Sequence, residues 1–301
     1  MSSAFGQPIA PRGALALRVP PLAGLNEPMV EPAAPPAPEA SPQPLQGPVS
    51  WTLGQVRLVL RLSALVSTTS GLFAYYVALR PLVPKRRFTA WRNRTIQIWA
   101  RTAVQCLGGR VRAEGLPPGG CLVVSNHLSY VDIPVLASLF PSIFVSKAEV
   151  KGWPLMGTVA GAAGTIFVDR ERKRDLPEVA QWIGRELAAG SSVVLFPEGT
   201  SSPGAELLPF RPSLLAPASS AGLPVAYAAI TYRSPEGHPP ASESICWWGG
   251  MTFGGHILGL LRLPCFEVEV RFGPDTLHDP DRKVLADRLW HAVHTIFKPT
   301  T

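Results

Sequence analysis

The sequence contains little cysteine, and its cysteines are not spaced to bind a metal. The 301 residues include four cysteines, and none of them forms a C-x-x-C pair with another. All four stand among apolar neighbours, which is typical of reduced core residues. We therefore expect a reducing compartment, no disulfide framework and no structural zinc. The four are Cys106, Cys121, Cys246 and Cys265.

Acidic residues are absent between Arg80 and Arg101, a stretch that carries seven basic residues. The whole chain has a formal net charge of +7 and a pI near 9.5, which suits either nucleic acid or an anionic membrane as partner. Because the basic stretch directly follows an uncharged segment and no nucleic-acid-binding motif is present, we predict a membrane partner and no nucleic acid. The basic residues are Arg80, Lys85, Arg86, Arg87, Arg92, Arg94 and Arg101.

The first 50 residues form a tail rich in proline and alanine. Twelve of the 33 prolines precede residue 50. Such a segment buries too little apolar surface to offset the entropy of ordering it, so residues 1–50 are predicted to be disordered. The chain does not open with the basic and apolar regions of a signal peptide.

Residues 62–79 carry no charge over 18 positions, which is close to the minimum length for crossing a bilayer. The polar residues 67–70 lower the hydrophobicity, so a single span, an in-plane helix and a soluble core helix are all open. Residues 88–107 are predicted to form an amphipathic helix with aromatic residues beside arginines. We predict that residues 51–110 anchor the chain and that residues 111–301 form a domain on the cytoplasmic face of the inner membrane.

Short apolar runs alternate with helical patterns through residues 111–301. This pattern predicts an α/β fold with a largely parallel or mixed central sheet flanked by helices. Polar turns follow the runs at 121–124 and 192–196, and the carboxyl ends of parallel strands are where such sheets bind ligands. Further strands are predicted at 143–146, 165–168, 225–231 and 266–272, with helices at 177–189, 212–221 and 281–297.

Ser129 and Asp132 have two interpretations. In the first they form a capping box, in which Ser129 is the N-cap of a helix and the Asp132 carboxylate accepts a bond from the N-cap amide. In the second, His127 donates its Nδ1–H to Asp132, which leaves Nε2 as a general base for a hydroxyl. The spacing by itself allows both.

Four blocks of this sequence resemble, in order, those of the glycerolipid acyltransferase superfamily. They are residues 126–132 (NHLSYVD), 164–170 (GTIFVDR), 196–200 (FPEGT) and 222–229 (GLPVAYAA). The resemblance implies a bacterial membrane O-acyltransferase of the 1-acyl-sn-glycerol-3-phosphate type, which makes phosphatidic acid. It also implies an N-terminal helical membrane anchor.

The resemblance and the chemistry of acyl transfer suggest roles for individual residues. His127 is the expected base with Asp132 as its partner, and Lys147 is expected to stabilise the oxyanion or bind the donor, because it ends a strand next to that of His127. No covalent intermediate is expected, since the chain lacks a Gly-x-Ser-x-Gly nucleophile elbow. The predicted substrate-binding residues are Asn126, Ser129, Arg170, Glu198, Gly199, Thr200 and Arg211.

The predicted co-substrate is acyl-CoA or an acyl carrier protein, with a lysolipid as acceptor and no cofactor or metal. Many family members follow FPEGT with arginine, whereas this chain has Ser201 there. The difference leaves room for a lyso-ornithine lipid or another lysolipid as acceptor. A non-catalytic lipid-binding protein and a hydrolase are the alternatives, both disfavoured by the residues present. Residues 245–261 are either core or, as we favour, a membrane-facing lid.

Overall fold

The computed structural model describes residues 48–152, 156–168 and 176–301. Two long helices come first, and the sheet and its covering helices follow. The predicted tail lies almost entirely outside the described residues. The helices are α1 (Pro48–Leu79), α2 (Lys85–Leu107), α3 (Asp132–Leu139), α4 (Met156–Ala162), α5 (Leu176–Ala188), α6 (Pro212–Ser220), α7 (Ala241–Ser244), α8 (Phe253–Arg262) and α9 (Arg282–Ile296). The strands are β1 (Gly109–Glu114), β2 (Leu122–Ser125), β3 (Ser142–Lys147), β4 (Ile166–Val168), β5 (Ser192–Leu195), β6 (Val225–Arg233) and β7 (Phe266–Phe272).

The seven strands form one mixed sheet in the order β1-β7-β6-β2-β5-β3-β4. β2 lies near its centre and pairs in parallel with both β5 and β6. Among the pairs of described strands, only β6 and β7 run antiparallel. The predicted α/β fold class is confirmed. β1 was not predicted, because its alternating charges resemble a solvated loop; such residues suit an exposed edge strand.

The central strand is apolar on both faces because helices cover both sides of the sheet. Val123 packs in the core beneath α2, α3 and α8. Leu122 and Val124 point the other way, into the core beneath α5, α6 and α9. This arrangement places the loop after β2 at the centre of one sheet edge.

One face of α1 packs against the rest of the protein along most of its length. The Arg61 guanidinium bonds the carbonyl oxygens of Leu263 and Pro264 just after α8, at 2.5 and 2.8 Å. Farther along, the Trp99 indole N–H of α2 donates to Thr69 Oγ1 at 3.1 Å. Tyr76 is buried and stacks on Trp91. The docked positions recur at helical spacing, at Gly54, Leu58, Arg61, Leu65, Thr69, Leu72 and Tyr76.

The opposite face of α1 exposes large apolar side chains, among them Val56, Val59, Leu60 and Val77. In the described part of the chain, Trp51–Leu82 is the one helical stretch long and apolar enough to cross a membrane, with a mean hydropathy of 1.4. α2 follows it as the predicted amphipathic helix. Side chains of α1, α2 and α4 line an open apolar cleft.

Two expectations about side chains need correction. Arg92, predicted to belong to the membrane-facing basic cluster, is buried and forms a 2.6 Å salt bridge with Glu186 of α5. It therefore joins α2 to the sheet domain. Residues 245–261 are also not a simple lid, since Ile245 and Leu260 are fully buried while Phe253 is exposed.

Candidate active site

The candidate site forms where the loops after β2 and β5 meet. His127 follows β2, and Glu198 follows β5. Because these strands are parallel neighbours, paired at Leu122 and Val193, both loops leave the same edge of the sheet. The first and third sequence blocks are therefore brought into contact.

The Asp132 carboxylate is the polar centre of the site and is fully buried. Its Oδ2 lies 2.7 Å from His127 Nδ1 and accepts the backbone N–H groups of Leu128 and Ser129, at 2.7 and 3.0 Å. Its Oδ1 accepts the Tyr232 hydroxyl at 2.6 Å. The described structure therefore supplies four donors to this one carboxylate.

The two interpretations of Asp132 turn out not to exclude each other. The carboxylate accepts the Ser129 N–H, as in a capping box, and contacts His127 with the same oxygen. The Ser129 half of the box is absent: α3 begins at Asp132 with Val131 at the N-cap position, and Ser129 Oγ has no hydrogen-bond partner among the described residues. The interpretation in which Ser129 is the N-cap of the helix was therefore wrong.

The imidazole of His127 is held on one side and open on another. Its ring stacks on Phe196, with centroids 4.1 Å apart and planes at 14°. The side chain retains 22% of its exposure. With Nδ1 against Asp132, Nε2 is the nitrogen left to take a proton from a substrate hydroxyl. This is the arrangement of a general base with an orienting carboxylate.

Both backbone polar groups of His127 are bonded by the loop after β5. Its N–H donates to Glu198 Oε2 at 3.0 Å, and its carbonyl oxygen accepts the Ser202 N–H at 3.0 Å. Glu198 also accepts the Leu208 N–H at 3.1 Å through Oε1. Burial raises the pKa of Glu198 to about 8, against the lowering effect of these two N–H groups. The carboxyl group thus orders the loop, and Gly199 turns it with φ of +76°.

Two predicted site residues are placed otherwise than the sequence suggested. Asn126 is buried, and its amide exchanges two hydrogen bonds with the backbone of Ile230, so it fastens β2 to β6 at the edge of the site. Lys147 is exposed at the end of β3, but β5 lies between β3 and β2. The expectation that its strand neighbours that of His127 was wrong, and two strand spacings separate the strands by roughly 10 Å.

Two of the remaining predicted residues lie on the loop after β5. Thr200 is exposed within it and Arg211 is exposed at its end, whereas Arg170 lies outside the described residues. Ser201, which stands where many family members have arginine, donates its hydroxyl to the Trp247 carbonyl oxygen at 2.5 Å. The Trp247 N–H in turn donates to Leu128 O at 2.8 Å. The segment before α8 is thereby attached to both loops of the candidate site.

Tyr232 and the aromatic cluster beside Tyr130 were not predicted from the sequence. Tyr130, inside the first block, places its hydroxyl 3.0 Å from His256 Nδ1 and packs edge-on against Trp247 and Phe253. Burial lowers the pKa of His256, so its neutral form is favoured. No local pattern marks these contacts, because each joins residues about 100 or more positions apart.

Comparisons with known proteins agree with this architecture. A profile of the family described as Acyltransferase matches residues 110–231. The lyso-ornithine lipid O-acyltransferase of Brucella abortus is 31% identical over 260 residues, which are 82% of this chain and 96% of that protein. The 1-acyl-sn-glycerol-3-phosphate acyltransferase of Neisseria gonorrhoeae is 31% identical over 210 residues, 68% of this chain and 81% of that protein.

The fold also matches a solved structure. The crystal structure of the 1-acyl-sn-glycerophosphate (LPA) acyltransferase PlsC from Thermotoga maritima superposes with a TM-score of 0.57 at 20% identity. The match covers 81% of this chain and 97% of that one. The fold is therefore one that a solved lipid acyltransferase shares. The chain belongs to the acyltransferase family, as its four sequence blocks predicted, and it is an enzyme of lysolipid acylation.

Proposed function

We propose that this enzyme transfers an acyl chain from acyl-CoA or acyl carrier protein to the hydroxyl of a lyso-ornithine lipid. The observation that carries the acceptor assignment is Ser201. Where an arginine would present a charged fork to a phosphate, this chain has a neutral hydroxyl bonded to the Trp247 carbonyl oxygen. The Brucella abortus relative, which this chain matches over nearly its whole length, bears the corresponding name.

The geometry supports direct transfer. His127 Nε2 takes the proton of the acceptor hydroxyl as its oxygen attacks the thioester carbonyl carbon. Asp132 stabilises the imidazolium formed. When the C–S bond breaks, the new ester is released and the imidazolium returns the proton to the leaving thiolate. The protein is then restored, and no group of the protein has been acylated.

The lipid acceptor has to reach His127 from a membrane surface. The apolar outer face of α1 and the exposed basic residues Arg86 and Arg87 at the start of α2 are suited to an anionic bilayer. Since α1 is docked on the protein from Gly54 to Tyr76, we propose that it lies in the plane of the membrane and does not cross it. We place the catalytic domain on the cytoplasmic side, where acyl-CoA and acyl carrier protein are available.

1-Acyl-sn-glycerol-3-phosphate is the second candidate acceptor. The observation in its favour is the exposed Arg211 at the end of the loop after β5, together with the name of the Neisseria relative. In this case the enzyme would produce phosphatidic acid.

A panel assay tests both assignments. The purified full chain in lipid vesicles is given one labelled acyl donor and, separately, lyso-ornithine lipid, 1-acylglycerol phosphate and a lysophospholipid, with His127→Ala as the blank. We expect the highest kcat/KM with lyso-ornithine lipid. Preference for the phosphate acceptor would overturn the acceptor assignment while leaving acyl transfer intact. Activity of the blank equal to that of wild type would remove His127 as the base.

A further inference from the structure

Tyr232 completes the polar site from β6, three residues beyond the end of the fourth sequence block. Its side chain is fully buried on β6, and its hydroxyl donates to Asp132 Oδ1 at 2.6 Å. We propose that Tyr232 is a positioning residue for acyl transfer, which holds the Asp132 carboxylate in the orientation that presents Oδ2 to His127. This proposal rests on the proposed role of His127 as the base.

The two oxygens of Asp132 have separate partners. Oδ2 faces His127 Nδ1 and the two backbone N–H groups of the loop, whereas the hydrogen bond from Tyr232 goes to Oδ1. A buried carboxylate oxygen without a donor is costly, so loss of the hydroxyl favours rotation of the carboxylate or its protonation at Oδ1. Either change weakens the contact that orients the imidazole.

Tyr232 remains a donor throughout the working pH range. Burial, together with the neighbouring Asp132 charge, raises the pKa of Tyr232 well above its ordinary value. The other titratable groups facing this cluster are Glu198, Cys246 and Tyr130. Burial raises the pKa of each, so at neutral pH their protonated forms are favoured. The Tyr232 hydroxyl therefore keeps its proton and donates it in the hydrogen bond to Asp132.

The backbone around Tyr232 leaves its hydroxyl little freedom. The residue pairs with Val268 of β7, and its ring packs edge-on against Phe266. Its carbonyl oxygen accepts the N–H of Thr301 at 3.2 Å, while the adjacent Thr300 N–H donates to Gly204 O at 2.8 Å. The same short segment thus bonds both β6 and the loop after β5, which fixes the hydroxyl relative to the site.

Tyr232→Phe removes the donor and keeps the ring. We expect kcat to fall about 10- to 100-fold, the range for a lost hydrogen bond to a charged group, with KM for the lysolipid nearly unchanged. Without the hydroxyl, rotation or protonation of the Asp132 carboxylate weakens its contact with the imidazole, so the imidazolium is less well stabilised. The acidic limb of the pH–kcat profile should therefore shift to lower pH, as should the titration of His127 in NMR spectra of histidine-labelled protein.

Two controls separate positioning from a structural role. Tyr227→Phe removes a hydroxyl from the same strand on the opposite face of the sheet and should leave the profile unchanged. In an Asp132→Asn background, Tyr232→Phe should have little further effect on kcat, because Tyr232 acts through Asp132. The NMR titration is measured on folded protein and needs no turnover, so it remains informative if the variant is less stable.

The outcomes are distinguishable. Suppose that the wild type is active on some lysolipid and that Tyr232→Phe has the same kcat and the same His127 titration. This result would overturn the proposal for Tyr232 and leave the proposed function standing. A lower melting temperature with unchanged kcat and an unshifted acidic limb would make Tyr232 merely structural. A wild type that acylates none of the lysolipids would overturn the proposed function and this proposal with it.

Discussion

Glu198 accepts a hydrogen bond from the backbone N–H of His127, so the third sequence block holds the proposed base of the first block in place. The carboxyl group is buried, and its position is set by two N–H groups from different parts of the chain, those of His127 and Leu208. We infer that Glu198 contributes to catalysis by fixing the base and the loop around it.

The raised pKa of Glu198 predicts a specific pH dependence of stability. Between its ordinary value of 4.5 and about 8, the folded state holds a proton that the unfolded state releases. The stability of the protein should therefore fall as pH rises through this window and level off above it. In Glu198→Gln this fall in stability with pH should disappear. The variant should also be less stable than wild type by an amount that does not depend on pH, because its hydrogen bonding is altered.

Thermal unfolding of both proteins at several pH values between 4 and 9 measures the effect. Glu206→Gln is the matched control, since Glu206 is exposed in the same loop and should retain the wild-type pH profile. Parallel curves for wild type and Glu198→Gln would contradict the assignment of the titration to Glu198.

Asp132→Asn is expected to reduce both rate and stability. In the variant, the amide N–H groups would face N–H and O–H groups that now donate to the carboxylate. We therefore expect a loss of about 1–3 kcal/mol in the free energy of unfolding. Because the carboxylate also orients His127, kcat should fall by about 100-fold or more, in the direction seen when such a carboxylate is replaced. Melting temperature and turnover should be measured on one preparation. A lower melting temperature with normal turnover would show that Asp132 only caps the helix.

Ser201→Arg should change the choice of acceptor. A guanidinium at this position can bond a phosphate, so we expect the kcat/KM ratio of 1-acylglycerol phosphate to lyso-ornithine lipid to rise about 10-fold or more. Ser201→Ala is the control, because it also removes the bond to Trp247 but adds no charge. If the arginine and alanine variants show the same ratio, position 201 does not determine the acceptor.

The docked face of α1 predicts how the protein leaves the membrane. A helix lying in the plane and held partly by basic residues should be released in part by a wash at about 1 M salt, where charges are screened beyond a few ångströms. Replacing the exposed Arg86 and Arg87 with glutamine should increase the released fraction. Fractionation and immunoblotting measure it. Complete retention of both proteins would indicate that α1 crosses the bilayer.

The sequence alone determined the α/β class, the alternation of strands and helices and the place of His127 at the end of a buried strand. These features depend on local periodicity and turn residues, which are visible within a dozen positions. The four blocks also identified the family. The same local evidence predicted α2, whose amphipathic pattern is strong, but it missed β1, whose charged residues look like a loop.

The tertiary structure decided which side chains meet. It brought Tyr232 to Asp132 across 100 residues, inserted β5 between the strands that lead to His127 and Lys147, and buried Arg92 against Glu186. It also docked α1 along the protein. Each of these outcomes depends on strand order and helix packing, which are set by burial of the whole apolar surface and leave no trace in the spacing of neighbouring residues.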